Sequence, residues 1–244
     1  MCGRYTLRKG LTQVVAKNGS YALSQTDVDC LAQSARYNIA PTQTTPVLRK
    51  RYDASYELEV CQMRWGLIPS WAKTARTLSP MINARSETVA EKPAYRAAYQ
   101  RRRCLIPADG FYEWRKSRGQ NLPFFFSMKD DSVFLMAGIW EAWISEGGET
   151  IDSYTILTTH ANALLAKYHD RMPVILDPER IELWLESDVA RLGLEERNHL
   201  FAPLDASLMS CQAANPMVNN NRSEGPDCLA APAAAPKSQL DLGI

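Results

Sequence analysis

The sequence predicts a mixed α/β (α+β) fold, with a mostly antiparallel, barrel-like β core and a few peripheral helices. Three observations carry this. Eight short runs rich in β-branched and aromatic residues are bounded by Gly, Pro, Asp or Asn, as strands are. Only three segments show apolar residues at helical spacing. The 244 residues are 45% hydrophobic and 23% charged, which suits one large domain or two small ones and excludes disorder over most of the length.

The strands are expected in the following order. TTPVLRK (44–50) and SYELEVCQMRW (55–65) flank a polar turn. GFYEWRK (110–116), PFFFSM (123–128) and SVFLMAGIW (132–140) are separated by turn residues at 117–122 and 129–131. SYTILTT (153–159), MPVIL (172–176) and SLMSCQA (207–213) complete the set. The helices are expected at 88–100, with Pro93 inside the segment, at 177–187 and at 194–201. The second is the clearest. Asp177 suits the N-cap, Pro178 the first helical position, and Ile181, Leu183, Trp184 and Leu185 make an apolar face. The folded body is expected over 1–228. Residues 229–244 read as a flexible Ala/Pro linker followed by a C-terminal peptide.

Charge and cysteine usage narrow the function. The 28 basic and 27 acidic residues leave a net charge of +1, which excludes an overall cationic coat but not a local basic groove. No apolar run approaches the roughly 18–20 residues that span a bilayer. The start, MCGRYTLRKG, lacks an apolar signal core, so a cytoplasmic protein is expected. Cysteines at 2, 30, 61, 104, 211 and 228 form no C-x-x-C pair, and His160, His169 and His199 do not fall at zinc-ligand spacing. Reduced thiols and no metal or organic cofactor are the expectation.

Several residues suit chemistry. Removal of Met1 would leave Cys2 with both an α-amine and a thiol. An aldehyde condenses with such an amine to an imine, and the neighbouring sulfur closes a five-membered thiazolidine with the advantage of a tethered reaction. In GFYEWRK, strand alternation puts Glu113 on the face of Phe111 and opposite Tyr112 and Trp114. A carboxyl buried among aromatics has a raised pKa and serves as acid or base, whereas on an edge strand it would simply face water. His169, at the entrance of an apolar run and beside Asp170 and Arg171, suits proton transfer, with His160 as a competitor. His199 sits in a surface helix. Asn83 can orient a sugar hydroxyl or carbonyl, and Arg85 suits a phosphate. Basic clusters at 49–51, 101–103 and 115–118 are either a nucleic-acid face or solvated surface. Trp71 is a candidate for contact with bases, and Trp65 is expected in the core.

Taken in order, MCGRY (1–5), YNIAPTQ (37–43), RWGLIPSW (64–71), INARSET (82–88), CLIPADGFYEW (104–114), ILTTHAN (156–162), HDRMPVIL (169–176) and VNNNRSEGPDC (218–228) resemble the SOS-response-associated peptidase family, the abasic-site processing proteins. The resemblance spans the whole body. It implies a sensor of abasic sites in single-stranded DNA that forms a thiazolidine crosslink through the mature N-terminal Cys2. It further implies release of Met1, possible autopeptidase and weak lyase activity, and a place in DNA repair and the SOS response. Cys2, Asn83, Glu113 and His169 match the family's catalytic positions. Arg4 and Arg85 match phosphate contacts, Asn38 and Thr158 other DNA-site positions, and Trp71 one aromatic of a strand-separating wedge. Ala72 stands where some bacterial relatives carry a second Trp. Alternatives are a thiol peptidase acting on other proteins and a non-covalent single-stranded DNA binder. Gln239–Ile244 (QLDLGI) resembles the short peptide that binds the bacterial sliding clamp. An association with the nucleoid would follow from DNA binding.

Overall fold

The computed structural model describes residues 2–9, 22–24, 27, 35–51, 57–75, 80–117, 119–186, 188–189 and 191–231. Met1, Cys30, Arg118 and the C-terminal peptide Gln239–Ile244 lie outside them. The described residues form two sheets and three α-helices. The strands, in chain order, are β1 (Arg4–Leu7), β2 (Ala22–Leu23), β3 (Arg36–Ile39), β4 (Thr44–Lys50), β5 (Glu57–Trp65), β6 (Asn83–Arg85), β7 (Arg103–Ala108), β8 (Gly110–Ser117), β9 (Gln120–Met128), β10 (Phe134–Ile144), β11 (Thr150–His160), β12 (Arg171–Pro173), β13 (Ile175–Leu176) and β14 (Met209–Ala213).

The smaller sheet runs β14-β9-β8-β1-β3 and is antiparallel throughout. The larger runs β12-β11-β10-β7-β4-β5-β2, with β6 and β13 attached to β11 and β10. A parallel pairing of β5 with β11, Trp65 opposite Tyr154, closes this sheet on itself. The closure is sealed from inside. The Trp65 ring is fully buried, stacked on Tyr154 at 6.4 Å and met edge-on by Tyr5 at 5.2 Å. The hydroxyls of Tyr5, Thr45 and Tyr154 bond one another at 2.8–2.9 Å, so the buried polar atoms of this aromatic layer satisfy each other. Gly66 follows at φ +111°, a backbone conformation that disfavours a side chain. There the chain leaves the sheet toward Trp71.

The helices cover the outer faces. Helix α1 spans Pro93–Arg101, α2 Pro178–Glu186 and α3 Leu194–Leu200. The segment 88–100, expected as one helix, is helical only from Pro93. Pro93 lacks the N–H and fixes φ, so it opens the helix, and residues 88–91 turn instead. Trp184 of α2 is fully buried and donates its indole N–H to the Cys104 carbonyl at 3.1 Å, docking the helix on β7. The expected strand over 172–176 divides. Arg171–Pro173 pairs with β11, and Ile175–Leu176 pairs with β10. Val174, between them, gives its N–H to Leu157 and its carbonyl to Ala137. After β14, two 3-10 turns at Pro216–Asn219 and Pro226–Leu229 cover Tyr112 and Phe125 of the smaller sheet, with Val218 and Cys228 buried there.

Candidate active site

The chain's start is held in place before any chemistry is considered. β1 lies between β8 and β3, with Arg4 opposite Tyr112 and Tyr5 opposite both Phe111 and Ile39. At its far end the buried carboxylate of Asp109 accepts the main-chain N–H groups of Arg8 and Lys9 at 2.6 and 3.1 Å, and Arg8 Nε at 3.0 Å. This anchorage carries Cys2 to the edge of the β8–β9 hairpin. Cys2 is fully buried and packs in the same apolar cluster as Phe111 and Phe126.

Three further residues from distant parts of the sequence meet it. Asn83, at the start of β6, donates its amide to the Cys2 carbonyl at 2.9 Å. Glu113 is 2% exposed in the middle of β8, opposite Phe124. Its face also holds Phe111, which stacks on Phe126 at 5.5 Å. Burial pushes the Glu113 carboxyl above the usual range, although His169 nearby pulls the other way. Burial also pushes the Cys2 thiol well up, and the Glu113 charge adds to this. The sulfur is therefore held as a thiol that needs a base, and Glu113 is the carboxyl whose charge acts on it.

His169 reaches the site through Tyr168, whose ring packs on Phe124 and Phe126 at 4.5 and 5.2 Å. Its backbone N–H is held by the Leu165 carbonyl at 3.0 Å. The Nδ1 atom faces two partners. It accepts the Arg171 backbone N–H at 2.9 Å and lies 2.8 Å from Asp170 Oδ1. His160 stands apart, exposed beside Glu87, and His199 is exposed on α3. Among the described residues, no group of three His, Cys, Asp or Glu side chains is placed to hold a metal ion. Cys2, Cys61, Cys104, Cys211 and Cys228 are free thiols.

The expected DNA contacts divide. Arg4 is half-buried beside Trp114, Asn121 and Asn219 in a cavity of about 760 Å³, with its Nε unbonded and no acidic partner among the described residues. Arg85 is exposed at the end of β6, and Trp71 is 69% exposed. The Trp71 turn is fixed by the Trp143 indole N–H, which donates to the Ala72 carbonyl at 2.7 Å. Asn38 and Thr158, in contrast, have no exposed surface. The Asn38 amide donates to the carbonyls of Val218, Asn220 and Ser223, and Thr158 is tied to Ala84 and Arg171. Asn38 Nδ2 is taken up by main-chain carbonyls and Thr158 Oγ1 by Ala84 and Arg171, while Asn38 Oδ1 is buried without a hydrogen-bond partner, so neither residue offers an exposed atom to a DNA strand in this structure.

Two of the basic clusters are also committed internally. Arg49 pairs with Glu59 at 2.5 Å and lies over Trp140, Lys50 pairs with Glu186, Arg51 with Asp27, and Arg102 with Glu141. Arg115 differs. It lies over Phe124 and Tyr168, at the mouth of the site. Arg171 and Glu87 were not singled out from the sequence, although both stand inside the HDR and RSET motifs. Their ion pair, with Arg171 buried and Glu87 partly exposed, depends on a strand pairing that no local pattern reveals.

A thiol at the second residue, seated among an amide, a carboxyl and an imidazole drawn from four separated stretches, defines a nucleophile site built on the chain's own beginning. Comparison with known proteins gives the same class its family. The chain belongs to the SOS response associated peptidase (SRAP) family, whose model matches residues 1–221. It is similar to the abasic site processing protein YoqW of Bacillus subtilis (strain 168), with 34% identity over 94% of this chain and 99% of that protein. It is similar to the abasic site processing protein HMCES of Mus musculus, with 33% identity over 94% of this chain and 76% of that protein. Among solved structures, a protein from Bacteroides thetaiotaomicron superposes with a TM-score of 0.75 at 25% identity, covering 95% of this chain and all of that one.

Proposed function

We propose that this protein binds abasic sites in single-stranded DNA and captures them covalently through Cys2. The observation that carries the reading is the seat of Cys2: a buried thiol whose carbonyl is fixed by Asn83 and whose neighbours are the proton carriers Glu113 and His169. The names of the related proteins point to the same lesion.

The chemistry follows from these groups. Removal of Met1 frees the Cys2 amine. His169 takes the proton of the sugar's C1′ hydroxyl and returns one to the ring oxygen, which opens the ring to its aldehyde. The amine adds to that aldehyde and water leaves, giving an imine. The Cys2 thiol passes its proton to Glu113, sulfur adds to the imine carbon, and the nitrogen takes up a proton. A thiazolidine results, with one water lost overall. Where β-elimination of the imine outruns ring closure, the strand breaks and the protein behaves as a weak lyase. Selectivity comes from the aldehyde and the missing base rather than from base edges. Arg4 and Arg85 supply phosphate contacts, and Trp71 an aromatic against the strand. Asn38 supports the site from within. Thr158 does the same through Arg171.

The competing reading is a thiol peptidase acting on other proteins, and a protein-cleavage assay separates the two. The decisive experiment is a denaturing gel with abasic, uracil-containing and intact oligonucleotides. Only the abasic strand gives a heat-stable adduct. Cys2→Ala loses that adduct and retains slow strand scission through its amine. A heat-stable adduct formed by Cys2→Ala, or by protein whose Met1 mass spectrometry shows to be intact, overturns the reading.

A further inference from the structure

Arg171 opens β12 with its side chain 5% exposed. Its guanidinium meets the Glu87 carboxylate as a two-pronged pair, Nη1 to Oε1 at 2.5 Å and Nη2 to Oε2 at 2.8 Å. Nη2 also donates to the Thr158 carbonyl at 2.5 Å. The same carbonyl accepts the Ser86 N–H at 3.0 Å, so the chain on either side of the ion pair is fixed to β11. A buried guanidinium needs such compensation. Removing its carboxylate leaves an unpaired interior charge, and the backbone around it moves to find water.

The main chain of this residue faces the site. The Arg171 N–H donates to His169 Nδ1 at 2.9 Å. An imidazole nitrogen that accepts a hydrogen bond carries no proton, so neutral His169 keeps its hydrogen on Nε2. Asp170 Oδ1, 2.8 Å from the same nitrogen, is a partner only for a ring that carries a hydrogen on Nδ1, either the neutral Nδ1–H tautomer or the imidazolium. Two groups therefore compete for one atom. The Arg171 amide selects the neutral Nε2–H ring, and the Asp170 carboxylate selects a ring with its hydrogen on Nδ1. The Asp170 side chain is 78% exposed and free to swing outward, whereas the amide is only as well placed as the Arg171 anchor.

We propose that Glu87, acting through Arg171, is a positioning residue for His169: by holding the Arg171 amide on Nδ1 it keeps the neutral ring in its Nε2–H form and leaves Nε2 as the atom that exchanges protons with the sugar. The use made of Nε2 rests on the abasic-site reading above; the control of Nδ1 does not. His160, 3.2 Å from Glu87 Oε1, is a second, exposed partner of the same carboxylate. Burial raises the Glu87 carboxyl, but its bonds to Arg171 outweigh this and hold it below the usual range.

The test uses the full chain with ¹⁵N-labelled histidine, alone and with an abasic oligonucleotide. Wild type shows the Nε2–H pattern for neutral His169. Glu87→Ala loses it, and single-turnover crosslinking slows about tenfold, while affinity for an intact strand stays within about twofold. Glu87→Gln, which still offers Arg171 an oxygen, recovers most of the rate. In a His169→Ala background, Glu87→Ala has no further effect. The proposal is overturned if His169 keeps its wild-type nitrogen pattern in Glu87→Ala, or if Glu87→Ala slows His169→Ala protein further. Should Glu87→Ala fail to fold, Glu87→Asp takes its place in the same measurements, because the shorter side chain pulls on the Arg171 fork. A wild-type protein that forms no adduct removes the capture mechanism, yet the nitrogen pattern still decides the role of Glu87.

Discussion

Cys2 and Glu113 each disfavour charge because each is buried, and the Glu113 charge raises the Cys2 thiol further. This has a consequence for stability. The Glu113 carboxyl has a raised pKa in the folded protein, so its contribution is full below the ordinary glutamate range and is lost as pH rises through the raised value. Glu113→Gln is accordingly expected to melt higher than wild type at about pH 7, with the gap closing toward about pH 4. Thermal melts across this range check it, and a gap that widens in acid contradicts it. The alternation of GFYEWRK placed Glu113 on the Phe111 face correctly, since period-two geometry is local. That the carboxyl is buried rather than solvated was not readable from the strand, because it depends on β9 and Tyr168 closing over it.

The long strands carried their own pattern, and β1, β2, β3, β6 and β7 did not. β4 was legible to the residue, and β8 to β11 within a few residues, because each is long and bounded by turn residues. β1, β3 and β6 are three or four residues long and gain their strand character only from neighbours. β7 is an apolar run containing Pro107, which argues against a central strand. The structure explains its presence there. β4 pairs with β7 only at Cys104 and Leu105, so Pro107 faces β10 on one side and no β4 residue on the other. Close packing within the sheets is testable at Gly138 of β10. A Cβ there would meet Ile106 Cδ1 at 2.1 Å and the Thr155 carbonyl at 3.0 Å. Gly138→Ala should cost about 2–3 kcal/mol in urea unfolding, and a cost below about 1 kcal/mol would show that β7 yields easily.

Across the whole molecule the 28 basic and 27 acidic residues nearly balance, and much of the basic charge is paired internally, whereas Arg4 and Arg85 are among the arginines without an ion pair among the described residues. Affinity for intact single strands should therefore fall with salt, and replacing either arginine by Ala should lower the logarithmic slope by about 0.7. Equal slopes for wild type and variants would place the phosphates elsewhere. The sequence motifs marked the candidate catalytic residues in order along the chain, but not the convergence of residues 2, 83, 113 and 169. That convergence requires the parallel β6–β11 pairing and the hairpin of β8 with β9, contacts at long separation that no window of sequence contains.

The Asn38 amide, buried and holding three carbonyls between Val218 and Ser223, fastens a late stretch of the described residues to β3, one of the first strands. Asn38→Ala should cost about 2 kcal/mol, read as a lowered urea midpoint. During synthesis this fastening is the late event. A ribosome emits β1 and β3 well before residues 218–223, so these strands have no clasp until that later segment has left the exit tunnel. A nascent chain that stops short of residue 218 thus holds Cys2 beside an unfastened strand.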